Sequence, residues 1–268
     1  MTDQVSESIV RPAAVAGLFY PGNPAQLRAM VAALLAGSKG HSRLPKAVIV
    51  PHAGYEYSGP IAASVYSAFG TAARSLRRVV LLGPSHRHWF RGLSVPDATA
   101  FATPIGLVQV DQAAMGQLLR KHLVTVSNAA HALEHSLEVQ LPFLQCIVPD
   151  AEIVPVLTGD ATVAEVAAVI ATLWGDSETL IVVSSDLSHY HAYATARRMD
   201  AETARAIVEG REDLSGEQAC GCVAINGFAH VMRRYDLRPE VLDLRNSGDT
   251  AGDRSRVVGY GGFGFYDA

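Results

Sequence analysis

The sequence predicts one α/β domain over residues 1–268, with a mostly parallel or mixed central sheet and helices on both faces. Three observations carry this. Short, β-branched apolar runs alternate with stretches of helical spacing, the pattern of strands crossed over by helices. Three of those runs, Lys46 to Gly59, Arg78 to Trp89 and Leu180 to His191, end in histidine-bearing loops. No linker, low-complexity tract or charge run divides the 268 residues, of which 49% are hydrophobic.

Residues 1–45 read as an N-terminal arm and one helix packed on the domain. Pro21-Gly22 marks a turn, and Leu27, Met30, Val31 and Leu34 give Pro24 to Leu35 one apolar helical face. Ala47 to Val50 is a buried strand, Pro60 to Phe69 a helix and Arg78 to Leu82 a second strand. Gly92 to Val110 alternates weakly and holds Pro96, Pro104 and Gly106, so it predicts a hairpin or edge strands. Asp111 caps a helix to about Lys121, and His135 to Cys146 is a helix kinked at Pro142. The second half repeats the alternation: strand Glu152 to Leu157, helix Ala161 to Trp174, strand Thr179 to Val183, then helices Tyr193 to Glu209 and Cys222 to Tyr235. Glu240 to Leu244 and Arg256 to Phe265 close the chain as strands.

Composition excludes several classes. A formal net charge of -4 is unlike a general nucleic-acid binder, which carries a basic face. No run of about 18 uncharged apolar residues is present to span a membrane. The first thirty residues hold Asp3 and Glu7 and lack the apolar core of a secretory signal. With three cysteines, an odd number, the chain suits a reducing cytoplasm better than a disulfide framework.

Open α/β sheets place reactive groups beyond the carboxyl ends of their parallel strands. If the three histidine-bearing runs lie side by side, His52, His86 and His189 converge on one crevice, and convergent imidazoles suggest a divalent metal. Taken singly, His52 reads first as a cap on a strand end through a backbone hydrogen bond. His86 follows the small-residue loop Gly83-Pro84-Ser85; His88 points the same way if the loop is extended, and Trp89 and Phe90 need a partner or a pocket. Asp186 and His189 stand three apart, so Asp186 either orients the His189 ring or caps a helix. Ser184, Ser185 and Ser188 lack the G-x-S-x-G setting of a serine hydrolase. His131, Glu134, His135, Glu138 and Gln140 form a polar block, with a His135–Glu138 pair three apart, that supports a site from behind, faces substrate or lies on a solvated helix face. Cys220 and Cys222 precede a helix, whose dipole favours a thiolate. Asp249 or Asp253 lines the crevice if the C-terminal loop reaches it.

Seven blocks together resemble one family. These are AGLFYP, PHAGYEYSG, GPSHRH, EHSLEVQLPFL, VSSDLSHY, Cys220-Gly221 followed by Ile225-Asn226-Gly227, and NSGDTAGDRSRVVGY. In this order, from Ala16 to Tyr260, they look like the Memo family, whose bacterial and archaeal members are also called AmmeMemoRadiSam system protein B. The resemblance implies a fold similar to the catalytic subunit of class III extradiol dioxygenases. It implies a divalent transition metal on His52, His86 and Cys220, iron by family, with copper or zinc as alternatives. It places His189 as the acid–base residue, with Asp186 in the same block. Tyr55, Trp89, His135 and Asp249 are then the expected substrate-binding residues.

The function so implied is a metal-dependent oxidoreductase of the non-haem dioxygenase type acting on a small molecule or peptide. A cysteine where the dioxygenases have a carboxylate puts ring cleavage itself in question. The alternatives are a non-enzymatic metal, redox or peptide-binding adaptor, and a metal-assisted hydrolase. Thiolate ligation weakens a metal as a Lewis acid, which ranks the hydrolase third. The family's other name implies a radical S-adenosylmethionine protein as partner. This chain carries no C-x₃-C-x₂-C cluster of its own.

Overall fold

The computed structural model describes residues 9–38 and 43–268. Residues 1–8, with Asp3 and Glu7, and residues 39–42 of the expected N-terminal region lie outside the described residues.

In chain order the strands are β1 (Val10–Arg11), β2 (Ala47–Val50), β3 (Arg78–Pro84), β4 (Leu93–Val95), β5 (Ala100–Thr103), β6 (Gly106–Gln109), β7 (Thr125–Val126), β8 (Glu152–Thr158), β9 (Thr179–Ser184), β10 (His189–His191), β11 (Arg238–Asn246) and β12 (Val257–Tyr266). The helices are α1 (Pro24–Ala36), α2 (Tyr55–Tyr66), α3 (Gln112–Arg120), α4 (Asn128–Ala132), α5 (Leu141–Ile147), α6 (Val163–Thr172), α7 (Tyr193–Val208) and α8 (Cys222–Arg234).

A mixed sheet of nine strands runs β10-β12-β2-β9-β3-β8-β4-β7, with β11 paired on β12. Its centre, β2-β9-β3-β8, is parallel. The apolar residues of β2, β3, β8 and β9 are buried, as expected of strands covered on both faces. The expected hairpin is present as β5-β6, which joins β1 in a separate three-stranded sheet.

From β2 through α2 to β3 the chain moves one way across the sheet; from β8 through α6 to β9 it moves back. Right-handed crossovers therefore put α2 on one face and α6 on the other. α1 and α5 pack with α2, and α8 packs against α6. Gly227 permits that last contact, because a Cβ there would lie 2.3 Å from the Val166 Cβ. The reversal seats β9 between β2 and β3, which makes this a topological switch point with a crevice beyond the strand ends.

Local chemistry sets most boundaries. Asn23 caps α1 through Ala25 and Gln26, Asp111 caps α3 through Ala114, and Thr162 and Glu165 form a reciprocal capping box on α6. Buried Lys46 donates its Nζ to the carbonyls of Trp174 (2.7 Å), Asp176 (2.7 Å) and Thr179 (2.8 Å), pinning the turn that feeds β9.

Two helices differ from expectation. α2 starts at Tyr55, not Pro60, because the Tyr55 N–H bonds to the Phe19 carbonyl and the helix begins at that tertiary contact. The expected helix from His135 to Cys146 is a short 3₁₀ turn, Glu138–Gln140, followed by α5. Pro142 sits in the first turn of α5, where its missing N–H costs nothing.

Candidate metal centre

Neighbouring strand ends build the site. β2 ends two residues before His52, β3 leads into the His86 loop, and β9, between them, ends at Ser184 and leads into residues 185–188. Asp186 locks the first to the third: its carboxylate accepts the His52 N–H at 2.7 Å. Cys220 arrives from the loop before α8. Its N–H donates to the Asp186 carbonyl at 3.2 Å, and the Asp186 N–H donates to Cys220 Sγ at 3.3 Å. The next residue must be glycine, since a Cβ on Gly221 would sit 2.6 Å from the Ser185 Cβ.

His52 is 1% exposed, with Nδ1 2.9 Å from Ser184 Oγ and Nε2 3.3 Å from Cys220 Sγ. Burial holds its imidazole well below the usual range. Burial also pushes the Cys220 thiol up to about 12, helped by the Asp186 carboxyl. This reverses the expected helix-dipole effect: the thiol is enclosed two residues before α8, and desolvation outweighs the dipole.

His86 forms the open side, with its side chain 30% exposed. Its N–H and Nδ1 both meet Glu134, at 2.5 Å and 3.0 Å. His135 stacks on it at 4.7 Å between ring centroids, stands edge-on to His52 at 5.4 Å and leans on Phe19. Burial lowers the His135 imidazole to about 4. Burial alone would raise the Glu134 carboxyl. Hydrogen bonds from the His86 ring and from the backbone N–H groups of Ser136 and His86 outweigh it and hold the group at about 2.

The ligand atoms of His52, His86 and Cys220 lie within 4.8 Å of one another. Ligands about 2.0–2.3 Å from a tetrahedral metal stand roughly 3.3–3.8 Å apart, so the set fits one ion after small adjustment. Each imidazole has Nδ1 engaged behind it, as metal-bound histidines do. A second group, His86, Glu134 and His135, is equally compact. Its carboxylate oxygen already accepts the backbone N–H groups of His135 and Ser136 as well as the His86 ring, so it is better explained as a hydrogen-bonded support.

Other expected residues fall elsewhere. Asp186 does not orient His189: residues 185–188 are not helical, and its carboxyl serves His52. Burial raises the Asp186 carboxyl to about 7. Tyr55 is no pocket wall; it is core, donating its hydroxyl to the Val139 carbonyl at 2.7 Å. Trp89 fills no pocket, being 78% exposed, while its neighbour Phe90 packs over Gly159. Asp249 is exposed and is spent on the Tyr193 hydroxyl and the Asn246 N–H. Glu138 is neither substrate-facing nor solvated; it is buried with Arg11. Burial lowers the His189 imidazole, and His86 adds to this against the opposing Leu187 backbone, so the ring stands within electrostatic reach of His86.

Glu134 and Ser184 are the contributors that sequence reasoning passed over. Glu134 had only its adjacency to His135 as a signal, and Ser184 was one serine among three.

The fold and site define an α/β protein in which two histidines and one cysteine, beyond the carboxyl edge of an open sheet, form a group that could hold a metal ion. The family model for Memo-like protein matches residues 11–264, and the chain belongs to the Memo family. A MEMO1 family protein of Aquifex aeolicus is 36% identical, covering 96% of this chain and 99% of its own. One of Aeropyrum pernix is 35% identical over 94% and 98%. A crystal structure of an uncharacterized Escherichia coli K12 protein aligns at a TM-score of 0.43 and 17% identity, covering 81% of this chain and 99% of that one.

Proposed function

We propose that this protein binds a divalent transition metal on His52, His86 and Cys220 and works as an oxidoreductase on a small organic substrate. The observation that carries the reading is the meeting of those three donors within 4.8 Å at the carboxyl edge of the sheet. Iron is the first candidate, through the family resemblance; two imidazoles and a soft thiolate also suit copper or zinc. A bound redox metal supplies electron transfer with the substrate.

The chain's own residues supply the rest. His52, buried and neutral, presents Nε2 to the cation. Cys220 would hold a cation as its thiolate, so that binding would release the Sγ proton. His135 and Phe19 wall the crevice beside His86. His189 moves a proton to or from the substrate through its imidazole.

The test is elemental analysis of protein purified without added metal, followed by O₂ uptake with catechol-like substrates in wild type and His52→Ala. Stoichiometric iron or copper, and uptake lost in the variant, support the reading. No bound metal and no affinity for iron, copper or zinc overturns it.

One observation favours a second reading, an adaptor for polypeptides. Trp89, on the loop that carries His86, and Tyr190, in β10 beside His189, are 78% and 63% exposed. A tight peptide complex that survives His189→Ala, with no turnover of any substrate, would select it.

A further inference from the structure

The hydrogen bonds around Ser184 close in only one way. Gln140 donates from Nε2 to the Pro51 carbonyl at 3.0 Å and accepts at Oε1 from the Tyr66 hydroxyl at 2.8 Å, which fixes its amide. The same Nε2 donates to Ser184 Oγ at 2.9 Å. The single Ser184 proton goes to the Ser136 carbonyl at 2.6 Å. Ser184 can then only accept from His52 Nδ1, at 2.9 Å. His52 is therefore protonated at Nδ1, and its Nε2 lone pair points to Cys220.

His86 reaches the same form by another route. Its Nδ1 lies 3.0 Å from Glu134 Oε1, and an ionised carboxylate only accepts. Among the described residues no lysine or arginine pairs with the Glu134 carboxylate, whose ion-pair neighbours are His86 and His135; Arg11 bonds only to the Glu134 backbone carbonyl. Its negative charge is left to the crevice.

We infer that Glu134 and Ser184 are positioning residues that set the two histidines in one tautomer by unlike means, and that the carboxylate makes His86 the stronger electron donor of the pair. A carboxylate behind an imidazole raises its basicity as a ligand, whereas a hydroxyl that only accepts adds no charge. The two histidines are thus an unequal pair. The inference concerns the site proposed above and rests on that reading for its use, but its first test needs no metal.

In metal-free protein labelled with ¹⁵N-histidine, both His52 and His86 should carry their proton on Nδ1. The His86 proton should resonate downfield of the His52 proton, as a charge-assisted hydrogen bond requires. Glu134→Gln should move it upfield and Glu134→Asp should largely retain it, while Ser184→Ala leaves it in place. A proton on Nε2 of either ring, or a His86 signal indifferent to Glu134→Gln, overturns the inference. Iron(II) then separates the two readings. Each of Glu134→Gln and Ser184→Ala should weaken binding about 10–100-fold. Only the former should clearly raise the reduction potential; equal potentials in the two variants overturn the unequal pair. Wild type that binds no metal defeats the proposed function and leaves the tautomer result standing.

Discussion

Glu134 and Glu138 are four residues apart, both buried, and both saturated with hydrogen bonds, yet they belong to different parts of the molecule. Glu138 is 0% exposed and ion-paired with Arg11, and it also takes the N–H groups of Ala14 and Val15 and the Tyr20 hydroxyl. It staples the N-terminal segment to the domain. The Glu134 carboxylate receives imidazole and backbone donors, and Arg11 reaches only the residue's backbone carbonyl. The lesson lies in the charge balance. A buried carboxylate beside a permanent cation is complete as it stands, whereas one held ionised without a permanent cation suits a site built to receive one.

The comparison can be broken first at Glu138. Glu138→Ala strands the buried Arg11 guanidinium and should cost about 3–5 kcal/mol of stability in urea unfolding, while the protein that remains folded keeps its metal affinity. Loss of metal affinity without loss of stability would erase the distinction.

A second effect belongs to the stapled side through His131, whose carbonyl accepts from Arg11 Nε. Burial lowers its imidazole from 6.5 to about 4. The unfolded chain therefore binds the extra proton between those values, and stability falls as pH drops from 6.5 towards 4, by no more than about 3 kcal/mol. Urea unfolding at both ends of that window, in wild type and His131→Asn, measures it. An unchanged pH slope in the variant would remove His131 as the source.

Glu134→Ala comes third. It leaves the His135 and Ser136 N–H groups without their acceptor and should cost about 1–3 kcal/mol, with iron affinity falling alongside. Smallest is Trp89→Ala, which should change stability by less than about 0.5 kcal/mol and leave iron affinity untouched. A larger loss would mean that the Trp89 ring packs after all.

The sheet was legible because β2, β3, β8 and β9 are unbroken apolar runs with turn residues at both ends. The crevice was legible because its histidines sit where those runs stop. The Tyr55 start of α2 was hidden because it depends on the Phe19 carbonyl, a contact between distant segments. Asp186 was misassigned for a similar reason: a three-residue spacing suggests a shared helical face, but residues 185–188 leave β9 as irregular chain and turn the carboxyl to His52. Glu134 is 48 positions from the ring it holds, and nothing local in the sequence expresses that pairing.

The place of β9 has a consequence for the order in which the protein is made. β2 and β3 are not neighbours; β9 lies between them and joins both. Two strands separated by a third stand about 10 Å apart. A nascent chain that has delivered His52 and His86 still lacks the strand that spaces them, and it lacks Cys220 as well. Pairings of such long sequence separation form slowly. Assembly of the proposed metal site is thereby tied to the finished sheet, and a chain cut short before β9 carries both histidines without the frame that brings them together.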